Sequence, residues 1–412
     1  MIQKFKHFHT SNLMRKLHLI LTISLFNSIN LFGQWINQPS GTTQSFRSVF
    51  FSSTHPNNGW ATTANGFVFS TSNAGALWTA QNIGMTGALE AITFVNSNEG
   101  WTCGSLDRIY KTSNGGGNWN QLTTPPLNAY YQDMIFLNNQ NGWAVGQLGA
   151  GGGAIINTID GGTTWSQQTS GTAYRLNGVY FTSSTNGIAV GDFGTIIQTT
   201  NGGNNWSTIS TGITQDLESV YFSDALHGWA VGDYGKILRT IDGGLSWNNQ
   251  TSGTTSMLRS VYFISNLIGW TAGDNGVILS TNDGGITWTP QNSTTTEVIF
   301  QILFTSATNG YAVGDAGKIL TTNTGGFSAI NELTHSNSFM LYPNPATKSF
   351  TIKNYSQKET YMQITNPLGE IVRSEKLLGS NEHVIDIEIP GGIYFVRVGE
   401  GESNTVMKLV VE

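Results

Sequence analysis

The sequence predicts an all-β chain in which a seven-bladed β-propeller, closed by its own N-terminal strand, is followed by a small C-terminal β-sandwich. Two observations support this fold class. One unit recurs seven times, at a spacing of 41 residues in five of the six intervals and 46 in the other. Charged residues make up only 11% of the 412 residues, whereas glycine occurs 50 times, and no window has a sustained helical apolar period. Short strands joined by tight turns fit this composition.

Three landmarks define the repeat, and each of them counts seven units. Four strands in 40 to 45 residues is the length of a propeller blade. The first landmark is a turn residue at Asn73, Asn114, Asp160, Asn201, Asp242, Asp283 and Thr324, followed five residues later by Trp78, Trp119, Trp165, Trp206, Trp247 and Trp288. The second is a Gly-Trp pair at Trp60, Trp101, Trp143, Trp229 and Trp270, with Ile188 and Tyr311 as substitutes. The third is a strand that ends at Phe51, Phe94, Phe136, Phe181, Phe222, Phe263 and Phe304.

The two ends of the repeat region complement each other. The seventh unit has Ala329 where the others have tryptophan, and no fourth strand follows it. The missing segment occurs near the N-terminus, because Trp35 to Thr42 aligns with Trp247 to Thr254. The N-terminal segment is therefore predicted to supply the outer strand of the seventh blade and to remove its exposed edge. An open solenoid would not need complementary ends.

The Asp-Gly-Gly turn of each unit has a structural interpretation. Asp242, or asparagine at the equivalent positions, is expected to accept hydrogen bonds from backbone amides two residues further on. Gly243 and Gly244 are expected to supply positive φ, and Trp247 to pack back over the hairpin. The pattern resembles the Asp-box (BNR) repeat, which occurs in sialidases, other glycosidases and several non-enzymes. It therefore indicates a fold and not a reaction.

Residues 1–33 are predicted to be a secretory signal peptide cleaved between Gly33 and Gln34; a buried N-terminal helix is the alternative, and Met14 is an alternative start. Cleavage removes four basic residues and no acidic one, so the formal charge changes from −6 to −10. This acidity disfavours a nucleic-acid partner.

The single cysteine, Cys103, replaces the valine or alanine of other repeats, so it is predicted to be a core residue and not a reactive thiol.

The predicted domains are the propeller at 34–330, a linker at 331–339 and the sandwich at 340–412. The last segment contains four motifs in order: Tyr342 to Pro345, Asn366 to Gly369, Gly392 to Arg397 and Lys408 to Val411. It resembles the C-terminal sorting domain of the type IX secretion system of Bacteroidetes. The resemblance implies export across both membranes, with the protein released or attached to the cell surface afterwards. An Ig-like accessory domain is the alternative.

The propeller repeats, of the form Gly-Trp-Ala-Val-Gly-Asp-x-Gly-x-Ile-Leu-x-Thr-x-Asp-Gly-Gly, resemble those of the photosystem II stability/assembly factor family. The resemblance covers about 34–330 and implies the same architecture and non-catalytic protein binding.

Catalysis and metal binding find little support in the sequence. The propeller arginines show no sialidase-like pattern; they are Arg47, Arg108, Arg175, Arg239 and Arg259. A pair of carboxyl groups across a cleft, as glycoside hydrolysis requires, does not stand out from the repeat. Four aspartates share one turn position and are interpreted as turn-forming residues on separate blades, which cannot share a metal ion; they are Asp192, Asp233, Asp274 and Asp315.

The most promising positions are those where the repeats disagree. The residue four before each landmark phenylalanine differs between units, and these residues are expected to form one ring at the mouth of the central channel: Arg47, Glu90, Gln132, Asn177, Glu218, Arg259 and Phe300. Tyr130, Tyr131 and Tyr174 are expected on adjoining loops, where they could stack on a sugar or a peptide. A solvated rim without a ligand is the alternative.

The sequence thus predicts an exported, non-catalytic propeller that binds a protein or glycan, without cofactor or metal and without a transmembrane segment in the mature chain. A polysaccharide hydrolase and a purely structural surface protein are the alternatives. The expected partners are the secretion machinery, through 340–412, and an unidentified ligand.

Overall fold

A computed structural model describes residues 35–326, 339–354, 359–366, 370–378, 382–400 and 403–411. The predicted signal peptide and its cleavage residues, Gly33 and Gln34, lie outside these ranges, as do residues 331–338 of the predicted linker. The chain separates into two compact units that divide between residues 329 and 330. The predicted domain boundaries themselves stay a prediction, and the first strand of the second unit begins at Phe339.

The first unit consists of seven four-stranded antiparallel sheets, which are the blades. Blade 1 contains β2 (Phe46–Phe51), β3 (Gly59–Thr63), β4 (Phe67–Thr71) and β5 (Thr79–Asn82), and blade 2 contains β6 (Leu89–Phe94), β7 (Gly100–Gly104), β8 (Ile109–Thr112) and β9 (Asn120–Gln121). Blade 3 contains β10 (Tyr130–Phe136), β11 (Gly142–Gln147), β12 (Gly153–Thr158) and β13 (Ser166–Gln167), and blade 4 contains β14 (Leu176–Phe181), β15 (Gly187–Gly191), β16 (Thr195–Thr199) and β17 (Ser207–Thr208). Blade 5 contains β18 (Leu217–Phe222), β19 (Gly228–Gly232), β20 (Lys236–Thr240) and β21 (Asn248–Gln250), and blade 6 contains β22 (Leu258–Phe263), β23 (Gly269–Gly273), β24 (Ile278–Thr281) and β25 (Thr289–Gln291). Blade 7 contains β26 (Ile299–Phe304), β27 (Gly310–Gly314), β28 (Ile319–Thr322) and β1 (Ile36–Gln38).

The blades are arranged in a ring around a central channel. The first strand of every blade contacts the first strand of the next blade, and β26 contacts β2. The N-terminal strand β1 takes the predicted outer place in blade 7, where Ile36 is opposite Thr321 and Gln38 is opposite Ile319. The all-β fold class is confirmed. In this arrangement the turns after second strands and the loops before first strands share one face, which we call the mouth face, and the Asp-Gly-Gly turns lie on the opposite face.

The Gly-Trp landmark holds neighbouring blades together. The indole N–H of each such tryptophan donates to a carbonyl in the Asp-Gly-Gly turn of the next blade, as in Trp229 to Gly284 at 3.0 Å. The same bond joins Trp60 to Gly115, Trp101 to Gly161, Trp143 to Gly202 and Trp270 to Gly325. Where blade 4 has Ile188 instead, Gln198 Nε2 donates to the Gly243 carbonyl at 2.8 Å. Every junction is therefore bridged, and Tyr311 closes the ring by donating to the Ala74 carbonyl at 3.3 Å.

The landmark aromatics form one repeated packing unit. Phe263 stacks on Trp229 of the preceding blade at 3.5 Å between centroids and meets Trp288 of its own blade edge-on at 6.0 Å. In blade 7 the edge-on partner of Phe304 is Trp35, at 5.7 Å, and Trp35 is fully buried. The N-terminal segment therefore supplies the aromatic residue of the seventh unit as well as its strand. Cys103 is also fully buried, as predicted.

The Asp-Gly-Gly turn differs in detail from the prediction. Asp242 Oδ1 accepts from the Ser246 backbone N–H, four residues further on, and from the Thr240 hydroxyl. The amide two residues on, that of Gly244, donates instead to the Thr240 hydroxyl. Six turns share this arrangement, at Asn73, Asn114, Asp160, Asn201, Asp242 and Asp283. The residue two positions before the turn residue, a threonine in every blade, is thus part of the motif.

The second unit is built from two sheets. One contains β29 (Phe339–Tyr342), β30 (Ser349–Asn354) and β33 (Glu382–Asp386) in that order. The other has the order β32 (Ile371–Leu377), β31 (Thr360–Thr365), β34 (Gly392–Glu400) and β35 (Ser403–Val411). Alternate residues such as Phe350, Ile352, Met362 and Ile364 are buried between the sheets. Across the described parts of the chain, no helix reaches the length and apolarity that crossing a membrane requires.

Candidate binding site at the mouth of the central channel

A β-bulge interrupts the first strand of every blade near its mouth end. The register with the second strand shifts by one residue in each case, for example between Leu217 and Ser219. The residue in the bulge is the ring residue predicted from the sequence: Arg47, Glu90, Gln132, Asn177, Glu218, Arg259 and Phe300. A bulge interrupts the regular alternation of side chains along a strand. The side chains at these seven positions are therefore directed differently from those of the neighbouring strand residues.

Phe300 lies between two arginines of the ring. The guanidinium carbon of Arg47 is 4.1 Å from the centroid of the Phe300 ring, and that of Arg259 is 5.2 Å from it. Arg47 Nε also lies 3.7 Å from Glu90 Oε2, and Arg259 donates to Asp274. The structure thus brings together Arg47, Arg259 and Phe300 at the junction of blades 6, 7 and 1.

A third arginine reaches the mouth face from a position that the sequence analysis did not select. Arg175, two residues before Asn177, donates to Asp192 Oδ1 at 3.2 Å, and the Asn177 side-chain amide donates to the same oxygen at 3.0 Å. The carboxylates of Asp192 and Asp274 therefore bind side chains and do not serve the turn; in the Asp192 turn it is the backbone carbonyl that accepts from Thr195. Asp192 and Asp274 do open the predicted turns, through their backbone carbonyls, and their carboxylates bind arginines in addition.

The carboxyl groups of the mouth face influence one another. Burial raises the pKa of Glu90 and of Glu218 above the ordinary glutamate value, against the opposing effect of Arg47 on Glu90 and of Arg259 on Glu218. The pKa of Asp233 is raised by burial and by the neighbouring carboxylates of Asp216, Asp274 and Asp192, which outweigh Arg259. Negative charge is therefore in excess on this side of the mouth.

Exposed aromatic side chains stand on the same face. Tyr174 and Phe193 are 44% and 59% exposed and stack on each other with centroids 4.8 Å apart. Tyr234, the equivalent of Phe193 in blade 5, is 75% exposed. Tyr130 is exposed as expected, but Tyr131 is fully buried in the core, so its predicted stacking role was wrong. Phe193 and Tyr234 were not predicted as site residues; their signal in the sequence is an aromatic residue inside a tight Asp-x-Gly turn.

The turns that carry Phe193 and Tyr234 hold these residues in a strained backbone conformation. The turns comprise Asp192–Gly194, Asp233–Gly235, Asp274–Gly276 and Asp315–Gly317. Their central residue has φ near +55°, with 56° at Phe193, 54° at Tyr234 and 58° at Asn275. Asparagine adopts this left-handed region readily, whereas a bulky side chain is disfavoured there. Blade 6 therefore has the residue that the turn prefers, and blades 4 and 5 do not.

Replacing Tyr234 with asparagine is expected to raise the free energy of unfolding by about 0.5–1 kcal/mol, because backbone strain is relieved and little packing is lost. The reciprocal variant Asn275→Tyr should lower it by a similar or larger amount. Urea denaturation followed by tryptophan fluorescence measures both. Equal stability of the two variants and the parent would contradict the assignment of strain to this position.

The channel wall below the mouth is polar near the ring and aromatic further in. Asp133 accepts from the backbone N–H groups of Met134 at 2.8 Å and of Val179, in the next blade, at 2.9 Å. Tyr180, Tyr221 and Tyr262 follow on neighbouring blades, with ring centroids 5.1 and 4.8 Å apart. Burial raises the pKa of Tyr180 to about 12 and that of Tyr221 further. Among the described residues, no group of three or more His, Cys, Asp or Glu side chains is placed to hold a metal ion.

Comparison with known proteins addresses both units. Residues 340–412 match the family model of the secretion system C-terminal sorting domain, and residues 124–213 and 206–293 match that of the photosynthesis system II assembly factor YCF48. Both predicted resemblances are confirmed. The propeller is similar to the YCF48 assembly factors, and the C-terminal unit is similar to type IX secretion sorting domains, which indicates export to the cell surface or the medium. No curated protein matches the chain significantly.

Solved structures support the propeller fold. YCF48 from Cyanidioschyzon merolae superposes with a TM-score of 0.60 at 20% identity, covering 70% of this chain and 98% of that one. YCF48 bound to D1 peptide gives 0.60 at 21% identity, covering 70% and 97%. The WD40 β-propeller domain of Doa1 gives 0.57 at 11% identity, covering 74% and 98%. At these identities the likeness shows the fold alone.

Two motifs of the sorting domain contact each other. The side-chain amide of Asn344, in the Tyr-Pro-Asn-Pro motif, donates to the Lys408 carbonyl at 2.7 Å, and its oxygen accepts from the Val410 N–H at 2.8 Å. The Asn344 side chain thereby makes the backbone hydrogen bonds that a neighbouring strand would make to the Lys-Leu-Val-Val segment, which lies on the edge strand β35. Residues 367–369 of the Asn-Pro-Leu-Gly motif lie outside the described residues.

Proposed function

We propose that this chain is an exported, non-catalytic propeller that binds a protein or glycan ligand at its mouth face. The observation that supports the proposal most directly is the bulge ring. Seven blades repeat their core and their turns, yet the bulge residue differs from blade to blade and includes two arginines, two glutamates and an aromatic ring. A symmetric scaffold with unlike residues at one end is the pattern of a binding site grafted onto a fold.

The paired charges of the mouth favour binding over hydrolysis. Glu90 lies against Arg47, and Asp192 and Asp274 are each engaged by an arginine. A general acid and a nucleophile or base need two carboxyl groups that face each other across a bound substrate. Ion-paired carboxylates are instead suited to hold arginine side chains in fixed positions, where they can contact a ligand.

The proposal predicts that ligand binding depends on Arg47 and Arg259. The full chain is screened against an array of polysaccharide fragments and against displayed random peptides. The double variant Arg47→Ala/Arg259→Ala is expected to weaken binding of a hit that presents carbonyl, hydroxyl or carboxylate oxygens by at least about tenfold, because two charged hydrogen-bond donors and the packing on both sides of Phe300 are lost.

The matched control is Lys111→Ala, which removes a cation from the opposite face. It should leave binding within about twofold of the parent, the resolution expected for a remote surface change. Retention of full binding by the double variant would contradict the site. Release of shortened sugars from any polysaccharide on the array would contradict the non-catalytic assignment.

A further inference from the structure

We propose that the mouth face recognises a cationic protein segment, whose lysine or arginine side chains bind at the exposed aromatics of blades 4 and 5. We call Tyr174, Phe193 and Tyr234 the aromatic patch. This inference rests on the proposed function and specifies its ligand class.

The aromatic patch is exposed without a contribution to the core. Tyr234 has three quarters of its surface open to solvent, and Tyr174 and Phe193 bury only part of their rings against each other. Large aromatics that stay exposed on one face of a protein mark an interaction surface. Their π-faces attract cations, most strongly where water is displaced.

The charge around the aromatic patch defines the sign of its partner. Five carboxylates belong to the adjoining turns and strands, and three cations accompany them. The carboxylates are Asp192, Asp216, Glu218, Asp233 and Asp274, and the cations are Arg175, Arg259 and Lys236, which donates to Asn249 on the outer strand of its blade. Asp192 and Asp274 neutralise these arginines directly, so the excess charge is negative.

Three carboxylates that form no ion pair among the described residues lie on the same turns and blades as the aromatics. Asp216 Oδ1 accepts from the Phe193 backbone N–H at 2.8 Å, which joins the mouth turns of blades 4 and 5. Asp233 directly precedes Tyr234, and Glu218 is the bulge residue of the same blade. A bound cation would relieve the repulsion among these groups and would at the same time contact an aromatic face.

A cationic peptide fits this surface better than other ligand classes. A neutral glycan could stack on the rings but would leave the carboxylates uncompensated, and an anionic polymer would be repelled by them. The aromatic patch extends over the mouth turns of two blades, which suits a chain that presents more than one side chain.

The experiment measures fluorescence anisotropy of labelled peptides with the full chain. In the three probes, lysine, serine or glutamate alternates with glycine. The lysine peptide is expected to bind at least about tenfold more tightly than the serine peptide, and the glutamate peptide more weakly than both. Raising the ionic strength from about 0.05 M to about 0.5 M should weaken lysine-peptide binding, since screening shortens the range of the attraction.

Two double variants locate the site. Glu218→Gln/Asp233→Asn should weaken lysine-peptide binding by about tenfold while serine-peptide binding stays unchanged, and Phe193→Ala/Tyr234→Ala should weaken the binding of both peptides. The controls are Glu99→Gln and Leu245→Ala, which make the same kinds of change on the opposite face. Melting temperatures verify that each variant is folded.

The outcomes separate this inference from the proposed function. Equal affinity for the three peptides, or lysine-peptide binding that the two variants do not alter, overturns the inference. If neutral sugars or acidic peptides bind and Phe193→Ala/Tyr234→Ala abolishes that binding, the mouth face is a binding site but the cationic ligand class is wrong. If the arrays and all three peptides fail to bind, the proposed function fails as well.

Discussion

Replacing Trp35 with alanine is expected to lower the free energy of unfolding of the propeller by about 3–5 kcal/mol. Trp35 is fully buried, meets Phe304 edge-on and donates its indole N–H to Gln291 Oε1 at 2.8 Å. The substitution removes a large apolar surface and leaves a cavity at the junction of blades 6 and 7. The closing strand β1 has only three residues, so few other contacts can hold it in place.

Denaturant titration followed by tryptophan fluorescence tests this expectation. All 12 tryptophans lie between residues 35 and 288, so the signal reports on the propeller and not on the second unit. Ile36→Ala is the matched control, because Ile36 is on the same strand but 58% exposed, and its loss should change stability by less than about 0.5 kcal/mol. A loss of less than about 1 kcal/mol for Trp35→Ala would contradict a closure that depends on the Trp35 side chain.

Replacing Asp133 with leucine is expected to cost about 2–4 kcal/mol, because the buried N–H groups of Met134 and Val179 lose their acceptor. In blade 1 a serine makes only the hydrogen bond to the next blade: Ser48 Oγ accepts from the Ile92 N–H at 3.2 Å. Ala91 is the equivalent of Ser48 in blade 2 and has no acceptor to offer the next blade. The backbone N–H of Met134, in that next blade, donates to Asp133 instead. The control Ser48→Ala, which removes a single neutral acceptor, should cost about 1 kcal/mol.

Asp133 also makes stability depend on pH. Burial raises the pKa of this carboxyl from 3.8 to about 6, against the lowering effect of its two backbone hydrogen bonds. Between these pKa values the folded state binds more protons than the unfolded state, so stability rises as the pH falls from about 7 to about 4. After allowance for partial solvent access, the gain is about 1–2 kcal/mol.

The variant Asp133→Asn isolates this contribution, since Glu90, Glu218 and Asp233 also have raised pKa values and act in the same direction. The difference in unfolding free energy between the parent and Asp133→Asn should grow as the pH is lowered. A difference that is constant from pH 7 to pH 4 would show that Asp133 has the same pKa in the folded and unfolded states.

The fold could be predicted from the sequence because its landmarks are side chains with one role each. The landmark phenylalanine, the Gly-Trp tryptophan and the tryptophan after the turn belong to one packing unit, so their spacing reports the blade directly. Trp35 could be assigned to blade 7 because the segment around it repeats the fourth-strand pattern, and the seventh unit is the one that lacks a fourth strand of its own. The threonine before each turn was overlooked, because a residue common in strands carries no separate signal of its capping role.

The candidate site was predictable in position but not in geometry. The disagreement between repeats at Arg47, Glu218 and their equivalents identified the ring, because divergence at equivalent positions is visible in the sequence. The bulge that orients these residues has no sequence signature here. Arg175 lies two residues outside the ring position, and its approach to Asp192 depends on how the loop before the strand turns. Tyr131 was misassigned because the adjacent Tyr130 and Tyr131 point to opposite sides of their strand.

The junction of blades 1 and 7, which we call the seam, is expected to close last as the propeller folds. Each of blades 1 to 6 is a local meander of four consecutive strands, whereas the seam joins residues far apart in the chain, as in Ser40 to Gly317, 277 residues away, and Val49 to Gln301, 252 residues away. Closing a loop of this length costs about 5 kcal/mol of chain entropy, so it follows the formation of the local hairpins. Blade 1 therefore keeps an uncovered flank until blade 7 has been synthesised, and the ring is complete when β1 and blade 1 meet blade 7.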